Sequence, residues 1–164
     1  IFRNAVSIGD FCLEGCDSLE EIDLKPLKKV EYIGQCFLSG ATSLHRVVFG
    51  EFCALGEIGQ NCLEMATSLE VVIFSGCERL ERISPGFLSS ALKLRSVDVN
   101  ALQAVKYIYP VFPPDVEASQ IPDYELKKIV PCLHNCPQLK IEGIQMDGLP
   151  PSHPIRRAIA LSVL

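Results

Sequence analysis

Residues 33–57 read IGQCFLSGATSLHRVVFGEFCALGE, and units of the same length recur on both sides. Ile8, Ile33, Ile58, Ile83 and Ile108 stand 25 residues apart with no slippage. Self-similarity at a fixed period of about 20 to 50 residues is the mark of a solenoid. More columns keep the same step: Leu13, Leu38, Leu63, Leu88; Leu19, Leu44, Leu69, Leu94; Ile22, Val47, Val72, Val97; and Leu24, Phe49, Phe74, Val99. Two others run Leu27, Phe52, Cys77, Leu102 and Val30, Leu55, Leu80, Val105, and a small-residue column runs Cys16, Ala41, Ala66, Ala91. Each unit is too small to bury these residues alone, so neighbouring units must stack.

Within one unit, Val47 and Phe49 alternate with Arg46 and Val48. That period of two predicts a strand with Val47 and Phe49 inward and the other pair outward. Upstream, Phe37, Leu38 and Ala41 fall at helical spacing, which predicts a short helical turn on the opposite side. Gly15 and Gly40 would end that turn, as glycine does at a helix C-terminus.

The segment around Leu44, Val47 and Phe49 carries the L-x-x-L-x-L spacing of a leucine-rich repeat strand. The fuller motif, I-G-x-x-(F/C)-L-x-x-(A/C)-x-S-L-x-x-(I/V)-x-(L/F), resembles the BspA-like leucine-rich repeats of bacterial and protozoan, including kinetoplastid, proteins. The resemblance covers residues 1–109. It departs where Ala41, Ala66 and Ala91 stand for the usual cysteine, and where Ser84-Pro85 interrupts the Ile-Gly continuation. It implies an α/β chain: a right-handed horseshoe solenoid with a concave parallel sheet and short convex turns. It implies no reaction.

The organisation follows from where the period holds. A partial repeat spans 1–7, and repeats begin at residues 8, 33, 58 and 83. Phe2 and Ala5 already belong to the Leu27 and Val30 columns, so Ile1 is expected to be a fragment boundary with at least one repeat upstream. After Ile108 the period breaks at Pro110, Pro113, Pro114 and Pro122, which predicts an irregular insertion over 110–128 with a helix starting at Asp123. A degenerate capping repeat follows in 129–164, where Cys132, Leu133, Cys136 and Leu139 match Phe87, Leu88, Ala91 and Leu94 at an offset of 45. Beyond Leu139 the strand pattern is lost. Ser152 and Pro154 start a final helix, with Ile155, Ala158 and Ile159 on one face, predicted to cap the C-terminal end.

Composition narrows the function classes. Among 164 residues the net charge is −5 and tryptophan is absent, which argues against a nucleic-acid footprint. No apolar run is long enough to span a bilayer. His45, His134 and His153 are scattered, with neither a catalytic triad nor a phosphate loop around them, so no catalytic residue and no cofactor is expected. The eight cysteines suggest zinc or disulfides at first sight, most of all Cys132-Leu-His134-Asn-Cys136. The columns read differently: Cys12, Cys62 and Cys132 share the place of Phe37 and Phe87, and Cys16, Cys136 and Cys77 fall in other core columns. Six are therefore expected to act as small buried hydrophobes, with no metal site. Cys36 and Cys53 align with polar positions, and a Cys53–Cys77 bridge stays open. Buried free thiols lean toward a reducing, intracellular compartment.

The outward strand positions hold the candidate site. They read Glu21, Asp23, Lys25; then Arg46, Val48, Gly50; Val71, Ile73, Ser75; and Ser96, Asp98, Asn100. Val48, Val71 and Ile73 form a contiguous apolar cluster bordered by Asp23, Arg46 and Asp98. Such a cluster marks either a partner site or the seat of the proline-rich insertion. The reading that follows is an interaction module binding a protein or peptide on its concave face. An extracellular surface antigen or adhesin, or the recognition domain of a larger enzyme, are the alternatives.

Overall fold

The inner repeats each supply strands to two parallel sheets, where the sequence predicts one. The computed structural model describes residues 4–24, 26–50, 54–108, 132–133 and 135–156. In chain order the strands are β1 (Ser7–Ile8), β2 (Tyr32–Ile33), β3 (Arg46–Gly50), β4 (Glu57–Ile58), β5 (Val71–Ser75), β6 (Arg82–Ile83), β7 (Ser96–Asp98), β8 (Tyr107–Ile108) and β9 (Ile144–Gln145). The two-residue strands form a five-stranded sheet ordered β1-β2-β4-β6-β8, and the longer ones a four-stranded sheet ordered β3-β5-β7-β9. Register follows the sequence period: Ile8 pairs with Ile33, Ile33 with Ile58, Val47 with Val72 and Val72 with Val97. The isoleucine ladder is thus the spine of the five-stranded sheet.

Between the sheets lies one continuous core. Ile33, Leu38, Leu44, Val47, Phe49, Leu55 and Ile58 are fully buried, and their equivalents one repeat later behave alike. Phe49 and Phe74 stack with centroids 4.8 Å apart, the spacing of neighbouring strands, and Phe87 tilts against both. Side chains one period apart therefore pack on themselves, which is why the columns tolerate so little change of type.

The predicted helical turns on the far side are not helices. In the second repeat Cys36, Leu38 and Gly40 all have φ between 57° and 71°, alternating with ordinary residues. The Ser39 N–H donates to the Cys36 carbonyl at 3.1 Å and the Ala41 N–H to the Leu38 carbonyl at 3.2 Å. These are overlapping turns with the left-handed residue third, the geometry of type II. The remaining N–H groups bond between rungs: Cys36 to Gln60, Gly40 to Glu64, and Leu38 back to Cys12. The reason is spacing. Strand ladders set rungs about 4.8 Å apart, whereas an α-helix is about 10 Å across. A turn flanked by strands on both sides has no room to become a helix. The wide convex elements that would bend the stack into a horseshoe are likewise absent among the described residues.

Leucine occupies the left-handed position in every rung: Leu13, Leu38, Leu63, Leu88 and Leu133 have φ of 58–62°. That conformation costs an L-residue about 1–2 kcal/mol. Burying a leucine contributes about 1.5–3 kcal/mol, so the core more than offsets the strain at Leu38, Leu63 and Leu88, which are fully buried. Leu13, in the first rung, is 38% exposed and lacks that compensation.

The C-terminal rung corrects the reading of residues 140–146. Through Cys136 the offset of 45 holds, and Asn135 Nδ2 reaches Ser90 Oγ at that separation. Beyond it, Ile144 pairs with Val97 and Gln145 with Asp98, two residues later than the constant offset predicts. A 3-10 turn, Ile141–Gly143, absorbs the extra pair. The strand is therefore kept, with Ile144 buried in the place of Val97, and the apparent loss of pattern came from holding the register fixed. Gly143 permits the shift, because a Cβ there would overlap the Arg95 carbonyl oxygen.

Residues 154–156 are helical and Ile155 is buried, while the rest of the predicted capping helix lies outside the described residues. The proline-rich stretch 110–128 and the helix expected from Asp123 also lie outside them.

Candidate interaction face

The outer face of the four-stranded sheet brings the candidate residues together as two columns. One runs Glu21, Arg46, Val71, Ser96 and the other Val48, Ile73, Asp98, Gln145, each step a registered parallel pair. Strand alternation fixes which residues these are. Val47, Val72 and Val97 turn inward and are buried, so their neighbours must face solvent. Glu21, Asp23 and Arg46 are exposed; Val48, Val71, Ile73, Ser96 and Asp98 are half-buried.

Val48 and Ile73 are direct cross-strand partners, and Val71 lies two residues before Ile73 on the same strand. The three form a single apolar patch, as predicted. Next to it a groove is lined by Glu21, Ile22, Asp23, Leu24, His45, Arg46 and Val48, so apolar and charged side chains share its lining. At the other side Asp98 accepts the Asn100 N–H through Oδ1 at 3.0 Å, which holds its carboxylate over the strand end. A neighbouring column, Glu20, His45, Glu70, Arg95, is polar and largely exposed. Arg95 and Glu70 form an ion pair of 3.3 Å there, and both side chains are well exposed.

The cysteines divide by rung. Cys62, Cys77 and Cys132 are buried, and Cys136 is half-buried. Each points its sulfur at a main-chain carbonyl of the preceding rung: Cys62 at Gly34 (3.2 Å), Cys77 at Phe49 (3.2 Å), Cys132 at Ser84 (3.4 Å) and Cys136 at Leu88 (3.2 Å). Burial pushes the Cys62 thiol up to about 12 and the Cys136 thiol up to about 11. Such thiols are poor nucleophiles and poor metal ligands. Cys12 departs from the expected burial: it is exposed and Cys16 half-buried, because nothing among the described residues packs against the outer side of the first rung. Cys36 is half-buried and its thiol is raised, chiefly by burial and then by Glu14 and Glu64. Lys25, Cys53 and His134 lie outside the described residues.

Among the described residues no group of three or more His, Cys, Asp or Glu side chains is placed to hold a metal ion. No helix there is long and apolar enough to cross a membrane. His153 is buried with Nδ1 accepting from the Ile155 N–H at 3.3 Å and Nε2 directed at the Gln103 carbonyl at 3.4 Å, a structural arrangement at the last rung. Sequence reasoning left it among the scattered histidines, since nothing in the local sequence connects it to Gln103.

Comparison with known proteins gives one match. A family model described as BspA type Leucine rich repeat region matches residues 1–110 in six copies. No curated protein and no solved structure matches the chain.

Proposed function

Because the chain belongs to the BspA-type leucine-rich repeat family, we propose that it is a non-catalytic interaction module that holds a protein or peptide on the outer face of its four-stranded sheet. The observation that carries this reading is the contiguous Val48–Val71–Ile73 patch, bordered by charge and built on strands whose inner residues are fully buried. A rigid sheet presenting half-exposed apolar side chains beside a groove suits recognition more than chemistry. Repeat folds host many activities, so the site residues, and not the fold, bear the proposal.

The test is a double variant, Val48→Asp with Ile73→Asp. Proteins retained by the immobilised 164-residue chain are compared with those retained by the variant, and both are melted. Loss of retention with unchanged melting supports the reading. Equal retention by both moves the site elsewhere. A large drop in melting temperature instead indicates that the 110–128 segment covers the patch within the same molecule.

A further inference from the structure

The two outward columns of the four-stranded sheet complement one another across the apolar patch. Arg46 stands one rung before Val71 in the first column, and Asp98 one rung after Ile73 in the second. They are opposite corners of a rectangle centred between Val71 and Ile73; Val48 and Ser96 are the other two corners. Resting on the function proposed above, we infer that the protein held on this face is a second copy of this chain, packed sheet to sheet about a two-fold axis.

The placement of these corners leads there. In a two-fold contact the same patch serves both copies, so every contact made is made twice. With the axis laid along the Val48–Ser96 diagonal, Arg46 of each copy faces the partner's Asp98. Val71 comes against the partner's Ile73, and Val48 lies close to its own mate beside the axis. Stacked sheets sit about 10 Å apart, a gap that a long arginine and a short aspartate span together. Asp98 is held ready, since its Oδ1 accepts the Asn100 N–H at 3.0 Å and Oδ2 is the oxygen that receives the guanidinium. Among the described residues no wide convex element bends the sheet into a trough, so one face can lie against another. Charge on the outward rows is close to balanced, with Arg46 and Lys25 set against Glu21, Asp23 and Asp98. A balanced face suits a like copy, because two strongly charged faces of one sign would repel. The match of Arg46 to Asp98 is therefore one of position and not of net charge.

The experiment is sedimentation velocity of the 164-residue chain from about 10 μM to about 1 mM, a range suited to so small an interface. A reversible dimer is expected. Arg46→Asp and Asp98→Arg each set like charges opposite one another, so each alone should weaken dimerisation at least about tenfold. Mixed in equal amounts, the two variants should dimerise with each other to within about threefold of the parent, because both pairs return with their signs reversed. The Val48→Asp/Ile73→Asp variant should stay monomeric. Where Asp98→Arg lowers the melting temperature, Asp98→Asn replaces it, since the amide oxygen keeps the Asn100 bond. Arg46→Gln and Asp98→Asn should then each weaken the dimer, and the two together no further than either alone. A parent that stays monomeric throughout overturns the second copy as occupant and leaves the face to the retention test above. A dimer indifferent to all these variants overturns the face as its interface. Single variants that weaken the dimer without rescue on mixing, or amide variants whose effects add, overturn the Arg46–Asp98 pairing and with it the two-fold.

Discussion

The sulfur of Cys62 lies 3.2 Å from the carbonyl oxygen of Gly34 on the preceding rung, and the Cys132–Ser84 contact repeats this geometry at the C-terminal end. A buried S–H so placed satisfies a carbonyl that the strand ladder leaves over, and it loses that role once ionised.

This gives a pH prediction with a definite sign. Burial raises the Cys62 thiol in the folded state from an ordinary 9.0 to about 12, so its stabilising contribution is complete below about pH 9 and is lost as pH rises toward 12. Urea unfolding between pH 8 and 11 should show stability falling with a slope of about one proton from this group. Cys62→Ala lowers the whole curve but should flatten that alkaline limb. In the same range an alkylating reagent should modify exposed Cys12 well before Cys62.

The left-handed leucines separate strain from burial. Leu13 and Leu63 share the same backbone conformation, but Leu13 is 38% exposed and Leu63 is fully buried. Leu13→Asn should change stability by less than about 0.5 kcal/mol, since asparagine tolerates positive φ and little packing is lost. Leu63→Asn should cost at least about 3 kcal/mol. Thermal melting distinguishes them, at roughly 2–4 °C per kcal/mol for a chain of this size.

Gly143 governs the last rung. Gly143→Ala brings a Cβ onto the Arg95 carbonyl, and relief requires the backbone to move away from β7. The expected loss is about 1–3 kcal/mol. Hydrogen exchange should localise it: the Val99 N–H, which donates to the Gln145 carbonyl at 3.0 Å, loses protection, while pairing between β3 and β5 is kept.

Two arginines should differ in consequence. Arg95 pairs with Glu70 across exposed surface, so Arg95→Ala should cost under about 1 kcal/mol and less at high salt. Arg156 donates through Nε to Leu149 O at 3.0 Å and through Nη2 to Met146 O at 2.7 Å, closing the loop after β9. Arg156→Ala leaves two carbonyls without these donors and should cost about 1.5–3 kcal/mol. Chemical denaturation of both variants checks the contrast.

The amino-acid sequence by itself determined the stack. A parallel solenoid places residues one period apart in direct contact, so the isoleucine, leucine and phenylalanine columns are statements about neighbours, and Ile33, Val47 and Phe49 are buried where their columns place them. The outward cluster of Val48, Val71 and Ile73 was legible for the same reason, because strand alternation leaves no other side for it. What only the tertiary structure decided concerns backbone geometry that apolar spacing does not encode. Phe37, Leu38 and Ala41 fit a helix by spacing, yet strands on both sides hold the rungs too close, and Leu38 takes a left-handed conformation that its own propensity opposes. The two-residue shift before Ile144 was hidden likewise, since it depends on Gly143 passing the Arg95 carbonyl, a contact between rungs far apart in the chain. Periodicity reports which residues share an environment; the conformation that brings them there is set by the spacing of the rungs above and below.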